Sequence, residues 1–181
     1  MGFQLPTAAP TQAGPAGLVY ADVPNRVIAY IIDVIILAVI NFIIGAILVG
    51  LTLGTGSLGI GWLIWLIVAL AINIGYFVYM WTAMRGTIGM KALGMQIGNA
   101  ADGKTMTMDQ AIRRWIFVGG WIAVANLFTS VFGFLGILVS LAALVYVIYL
   151  LYTTAQSPTK QGFHDIQAHT MVVKASRSVA V

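Results

Sequence analysis

Residues 115–152 read WIFVGGWIAVANLFTSVFGFLGILVSLAALVYVIYLLY, thirty-eight positions without a charge. How many times this block crosses a bilayer decides the fold. One helix needs about 20 apolar residues to cross the hydrocarbon, so the block is too long for one ordinary span. The placement of charge supplies a parity rule. The nine Lys and Arg residues fall in three places: Arg26, the 85–114 segment (Arg85, Lys91, Lys104, Arg113, Arg114) and the tail from Lys160 (Lys160, Lys174, Arg177). Basic residues collect on the cytoplasmic side of spans. If all three places are cytoplasmic, the block crosses an even number of times. Two spans fit, roughly 113–129 and 132–152, turning near Thr129–Gly133. The competing reading, one span plus an interfacial helix, puts the C-terminal tail outside, against the charge bias.

Two apolar runs precede this block, Val27–Leu51 and Ile60–Trp81, separated by a Gly-rich stretch. The expected architecture is all-α and integral to the membrane. It has four transmembrane helices, both termini cytoplasmic, and a small cytoplasmic hairpin between helices 2 and 3. Composition agrees: 60% of the 181 residues are hydrophobic and 8% charged, against about 25% charged in a soluble domain. Mean hydropathy is +0.96. Residues 1–22 are rich in Pro and Ala (Pro6, Pro10, Pro15) and lack the basic and apolar regions of a signal peptide. They read as a flexible tail, with the first span as its own uncleaved targeting signal. The transmembrane domain is then 23–174, followed by a short tail, 175–181.

The hairpin reading rests on local signals. Lys91–Ile97 suits extended backbone, Asp102-Gly103 is a turn dipeptide, and Lys104–Met108 suits a return strand. Thr107 and Gln110 have capping-box spacing for the helix that enters span three.

Asp33 is the one acidic residue inside an apolar run, and a central Asp disfavours insertion by roughly 2.5–3.5 kcal/mol. It lies seven residues after Arg26, about 10 Å along the helix. Arg26 should snorkel to the headgroups and pair there with Asp165 of the returning C-terminal segment. Depth arithmetic puts Asn73 and Tyr146 level with Asp33, so the three are expected to form one polar layer, with Asn41 deeper. On one reading Asp33 handles an ion or proton. On the plainer one it is a neutral or hydrogen-bonded residue that fixes helix packing.

Other patterns promise more than they carry. Gly98–Thr105, GNAADGKT, matches the phosphate-loop pattern letter for letter. However, Asp102 would repel phosphates, and about 30 soluble residues are too few for a nucleotide-binding domain, so it reads as a turn. His164 and His169 flank Asp165, yet His at i and i+5 do not share a helix face; an interfacial polar cluster is preferred to a metal site. Gly50 and Gly54 have the spacing of a close helix contact, and the tryptophans lie mostly near span ends, as in an aromatic belt. The sequence has no cysteine, which excludes thiol nucleophiles, thiolate metal sites and disulfides. No Ser/His/Asp triad or carboxylate pair is present, so no enzyme, cofactor or metal is expected. The basic pI reflects topology rather than a nucleic-acid partner.

Four stretches in order carry a family likeness: NRVIAYIIDVIIL (25–37), TIGMKALGMQI (87–97), AIRRW (111–115) and HDIQAHTMVV (164–173). The chain resembles the RDD family of prokaryotic membrane proteins over about residues 21–174, with Arg26, Asp33 and Asp165 at its signature positions. Met90 and Gln96 depart from it, standing where basic residues are common, which weakens any expectation of anion contact there. The resemblance implies a multi-pass protein of the prokaryotic cytoplasmic (inner) membrane, for which transport of unknown ligands has been suggested. Two functions follow as expectations. The first is a non-enzymatic structural or accessory subunit, surrounded by lipid and joined to other membrane subunits or to copies of itself. The second is a small ion or solute transporter using Asp33. Arg26, Asp33, Asp165, Asn73 and Tyr146 are the residues on which either would turn.

Overall fold

A run of apolar residues over five helical turns can satisfy every backbone group within itself, which is what hydrocarbon demands of a spanning segment. The computed structural model, which describes residues 18–53 and 55–175, contains four such helices: Val23–Leu53, Leu58–Met84, Met108–Thr129 and Phe134–Gln156. The first two are single helices, α1 (Val23–Leu53) and α2 (Leu58–Met84). The third is composite. Helix α4 (Met108–Trp115) runs through a π-helical turn, Ile116–Gly120, into α5 (Trp121–Phe132). Helix α6 (Phe134–Gln156) follows after Gly133, whose φ of 51° suits a residue without a side chain. The uncharged 115–152 block therefore crosses twice, with its turn at Gly133 inside the expected 129–133 window. The four-helix, all-α membrane architecture stands.

Helix contacts use small residues as sockets. A Cβ on Gly45 would meet the Trp65 indole, and one on Gly61 would meet the side chain of Thr52, so α1 and α2 approach closely at both points. The Trp65 indole donates to the Asn41 carbonyl at 3.2 Å. Gly50 corrects an expectation: its Cβ position faces open space, and Gly54 lies outside the described residues. Glycine spacing in the sequence does not reveal which face of α1 turns to α2. Between α5 and α6 the socket is Gly136, pressed on the backbone of Thr129.

The sheet departs from the expected hairpin. Strand β2 (Met95–Asn99) runs into the expected Asp102-Gly103 turn, where Asn99 N–H donates to the Lys104 carbonyl at 2.8 Å. Residues 104–107, however, do not return as a strand. β2 pairs antiparallel with β3 (Thr170–Ala175), and β3 also pairs with β1 (Leu18–Tyr20), giving the order β1-β3-β2. Residues 170–173 are all buried, and this apolar, β-branched stretch makes a better central strand than Lys-Thr-Met-Thr. Pairing with β1 also moves the tail boundary: residues 18–22 belong to the folded domain, and the flexible-tail expectation for 1–17 lies outside the described residues, as does that for 176–181. The thin sheet, with short helices α3 (Ile88–Ala92) and α7 (Phe163–Gln167) beside it, forms one end of the bundle. The core sits there. Met95, Ile97, Met171 and Val172 are at most 2% exposed, whereas the spans leave most of their apolar surface outward, where lipid replaces a protein interior.

Candidate functional site

Asp165 lies in the first turn of α7, where the Gly162 N–H reaches its Oδ2 at 3.1 Å and the helix N-terminus favours negative charge. Two arginines converge on it. Arg26, in the first turn of α1, places Nη1 2.6 Å from Oδ2 and anchors Nε on the Ala21 carbonyl at 3.0 Å. Arg114, near the end of α4, bonds Oδ1 and the Thr170 hydroxyl through Nη1, the latter at 2.8 Å, and its guanidinium lies 5.3 Å from the centre of a Trp81 ring. Asp165 is completely buried and Arg114 nearly so. One carboxylate thus serves two guanidiniums and joins α1, α4, α7 and β3 at one point.

The electrostatics follow from that ratio. Burial alone would raise the Asp165 pKa, but the charge of Arg114, then His164 and Arg26, hold it well below the usual carboxylate range. His164, whose Nε2 lies 3.4 Å from Asp165 Oδ2, is pushed down to about 4 by burial, with Asp165 opposing and the two arginines adding to the fall. At neutral pH His164 is uncharged, and the trio Arg26, Arg114 and Asp165 carries a formal surplus of one positive charge.

Asp33 stands apart from this cluster. Its Oδ1 receives the Tyr76 hydroxyl at 2.7 Å and the Gly89 N–H at 2.8 Å, and the Tyr76 hydroxyl also receives the Ile88 N–H at 3.3 Å. Asp33 therefore acts from another helix as a cap on the first turn of α3, whose own N-cap Thr87 receives the Met90 N–H at 3.2 Å. Gly89 is required at this point: a Cβ there would fall inside the backbone of Ala29. The segment Thr87-Ile88-Gly89 thus has a physical explanation in the hydroxyl that caps, the amide that bonds Asp33, and the missing side chain that lets α3 lie against α1.

The expected polar layer of Asp33, Asn73 and Tyr146 does not form. Asn73 Oδ1 receives the Trp115 indole at 2.8 Å. Tyr146 donates to the Phe117 carbonyl at 2.9 Å, a group within the π turn. Asn41 donates to the Leu37 carbonyl of its own helix. Depth along a helix fixes height, not azimuth. Asn73 and Tyr76 differ by three residues, about 60° around the axis, and it is Tyr76 that faces α1. Arg26 and Asp165 do meet. Tyr76, Arg114, Thr170 and Gly89 complete the two sites, and of these only Tyr76 lay outside the stretches that the sequence marks.

Above the Asp165 cluster lies a cavity of about 210 Å³. Its walls are apolar, from Val27 and Ile31 of α1, Val118 and Ile122 of the third span, and Val147 and Leu151 of α6. Arg26, Trp81, Arg114 and His164 line it too, as does Asp33. The phosphate-loop look-alike, by contrast, is the turn after β2: Asp102 Oδ1 accepts from Lys104 N–H at 3.0 Å, and the helix that follows starts only at Met108.

The family model described as RDD family matches residues 20–169, a stretch that contains Arg26, Asp33, Arg114 and Asp165. The chain belongs to the RDD family. No curated protein and no solved structure matches it significantly. This RDD protein is a membrane protein with four apolar spanning helices. The arginine and two aspartates on which the sequence resemblance rests divide between two tasks, Arg26 with Asp165 in one cluster and Asp33 in the other.

Proposed function

We propose that this RDD protein is a non-enzymatic structural or accessory subunit of the prokaryotic cytoplasmic (inner) membrane, working in an oligomer or a larger membrane complex. The sheet end faces the cytoplasm, in keeping with the basic residues of the 85–114 segment. The observation that carries the reading is the state of Asp33. It is 2% exposed and already holds a hydroxyl and a backbone amide. A coupling carboxylate must exchange its ligand or proton with water during each cycle, whereas a cap that fixes α3 on α1 does not. Transport through Asp33 is the second reading, and the cavity wall to which Asp33 contributes favours it.

Purification of the chain from its native membrane in mild detergent, followed by mass spectrometry, separates the two. Fixed stoichiometric partners are the expected result. A homo-oligomer whose proteoliposome ion or solute flux disappears in Asp33→Asn would replace the subunit reading with transport.

A further inference from the structure

Three buried N–H donors at the charged end of the cavity, Arg26 Nη2, Trp81 Nε1 and Arg114 Nε, have no hydrogen-bond partner among the described residues. Buried N–H donors left empty are costly, roughly 1–3 kcal/mol each and more for charged groups, and native interiors contain few of them. Here they belong to side chains lining one cavity, and Trp81 and Arg114 are only 4% and 6% exposed. The surplus positive charge of the Arg26–Arg114–Asp165 trio lies at the same end. Asp33 contributes a carboxyl group to the wall but belongs to the α1–α3 contact, where its Oδ1 is occupied by Tyr76 and Gly89. The remaining wall is apolar and reaches the molecular surface at Ile31 and Leu151, which are 51% and 37% exposed although both line the cavity. Both belong to spanning helices, so the cleft opens sideways, toward lipid, between α1 and α6. Its volume equals about seven water molecules in the liquid, enough for a small oxyanion and the first part of a chain.

We propose that the cleft binds an anionic amphiphile entering from the bilayer, its oxyanion head on the empty donors of Arg26, Arg114 and Trp81 and its apolar chain between α1 and α6. A monoanionic head cancels the surplus charge and fills the donors in one step. A zwitterionic head brings a second cation into a site that already has one too many, and a free inorganic anion leaves the apolar wall uncovered. The class includes a lipid phosphodiester and a fatty carboxylate, which offer the same charge and acceptors.

The test is photolabelling of the full chain in mild detergent with three probes carrying the same diazirine acyl chain: phosphatidylglycerol, phosphatidylcholine and a free fatty acid. The expected result is labelling on the cavity-facing residues of α1, the 116–122 stretch and α6. At least one anionic probe should exceed phosphatidylcholine by about tenfold, the scale of one charge-assisted hydrogen bond. Which anionic probe leads identifies the head. Val147→Trp fills the wall without touching the charged cluster and should abolish the labelling, while Val145→Trp, on the outward side of the same helix, should leave it intact. If Val147→Trp does not fold, competition of the wild-type label by unlabelled myristate gives the same decision. Equal labelling by all three probes, labels confined to outward residues such as Phe42, or displacement of the probes by inorganic phosphate at matched concentration would each overturn the proposal.

Discussion

Replacing Asp165 by Asn removes one charge and almost no volume, so it tests what holds the sheet end together. In the wild type one fully buried carboxylate faces two guanidiniums, with Arg114 6% exposed and the Arg26 side chain 12%. Removing one partner of a buried ion pair destabilises by about 3–5 kcal/mol because the other charge stays behind. Here two cations stay behind, so Asp165→Asn belongs at the upper end of that range. Arg26→Gln is the control: Asp165 keeps Arg114, the surplus charge disappears, and the loss should stay near 1 kcal/mol, about one hydrogen bond. The double variant leaves a single buried guanidinium, so its loss should fall short of the sum of the two by about 1–3 kcal/mol. Thermal and denaturant unfolding in one fixed detergent, followed by tryptophan fluorescence, measures all three. For a chain of this size the Asp165→Asn loss corresponds to a fall in Tm of roughly 10 °C or more. An Asp165→Asn protein within about 0.5 kcal/mol of wild type, or an Arg26→Gln protein less stable than Asp165→Asn, would refute the argument that charge balance holds these elements together.

His164 makes the fold sensitive to mild acid. Its folded pKa, near 4, lies below the ordinary 6.5, so the unfolded chain binds the extra proton between those values and stability falls as pH drops from about 6.5 to 4. A gap of that width is worth about 3 kcal/mol at most, and unfolding measured at pH 7 and pH 4.5 should show most of it, with His164→Gln flattening the slope. The depressed Asp165 pKa works in the same direction only below the ordinary carboxylate range, so its loss is confined to pH under about 4. Gly89→Ala drives a Cβ into the Ala29 backbone and should destabilise by about 1–3 kcal/mol or more, with faster hydrogen exchange in 87–93; unchanged exchange there would separate Gly89 from the α1–α3 contact. Tyr76→Phe withdraws the hydroxyl between Asp33 and Ile88, and about 1–2 kcal/mol should be lost. In an Asp33→Asn background the loss should be smaller, which a double-mutant cycle checks.

The spans were readable because hydrocarbon imposes a length and the placement of charge imposes a parity, and both are one-dimensional quantities. The Asp102-Gly103 turn and the Thr107–Gln110 capping box were readable for the same reason: each is complete within a few residues. Thr107 N–H and Gln110 N–H do bond each other's side chains, at 2.9 and 3.3 Å. Arg26 meeting Asp165 followed from a rule about depth, since an arginine at a span end has one direction in which to reach. Asp33 did not yield to the same reasoning. Its partners are a tyrosine set apart from Asn73 by a rotation and a backbone amide, and an amide carries no sequence signature. The hairpin misreading has a similar origin. Strand β2 found its neighbour about 75 residues along the chain, beyond any local propensity, and the burial that favours β3 exists only once the sheet end is assembled.

The position of Asp165 along the chain has a consequence for biosynthesis. Arg26 and Arg114 precede it, by 139 and 51 residues. Asp33, Tyr76 and Gly89 are all made before span three, so the α1–α2–α3 unit can lock while the ribosome is still translating. The two arginines, in contrast, stay uncompensated while the spans are being inserted, when positive charge steers orientation. Their shared counter-charge comes only with α7, and β3, the central strand between β1 and β2, follows α7 in the chain. The same side chains are withdrawn from solvent in the finished protein and turned into its clasp. A chain stalled before residue 165 would therefore be correctly threaded yet unlatched, with two guanidiniums and two open strand edges displayed to the machinery that inspects unfinished membrane proteins.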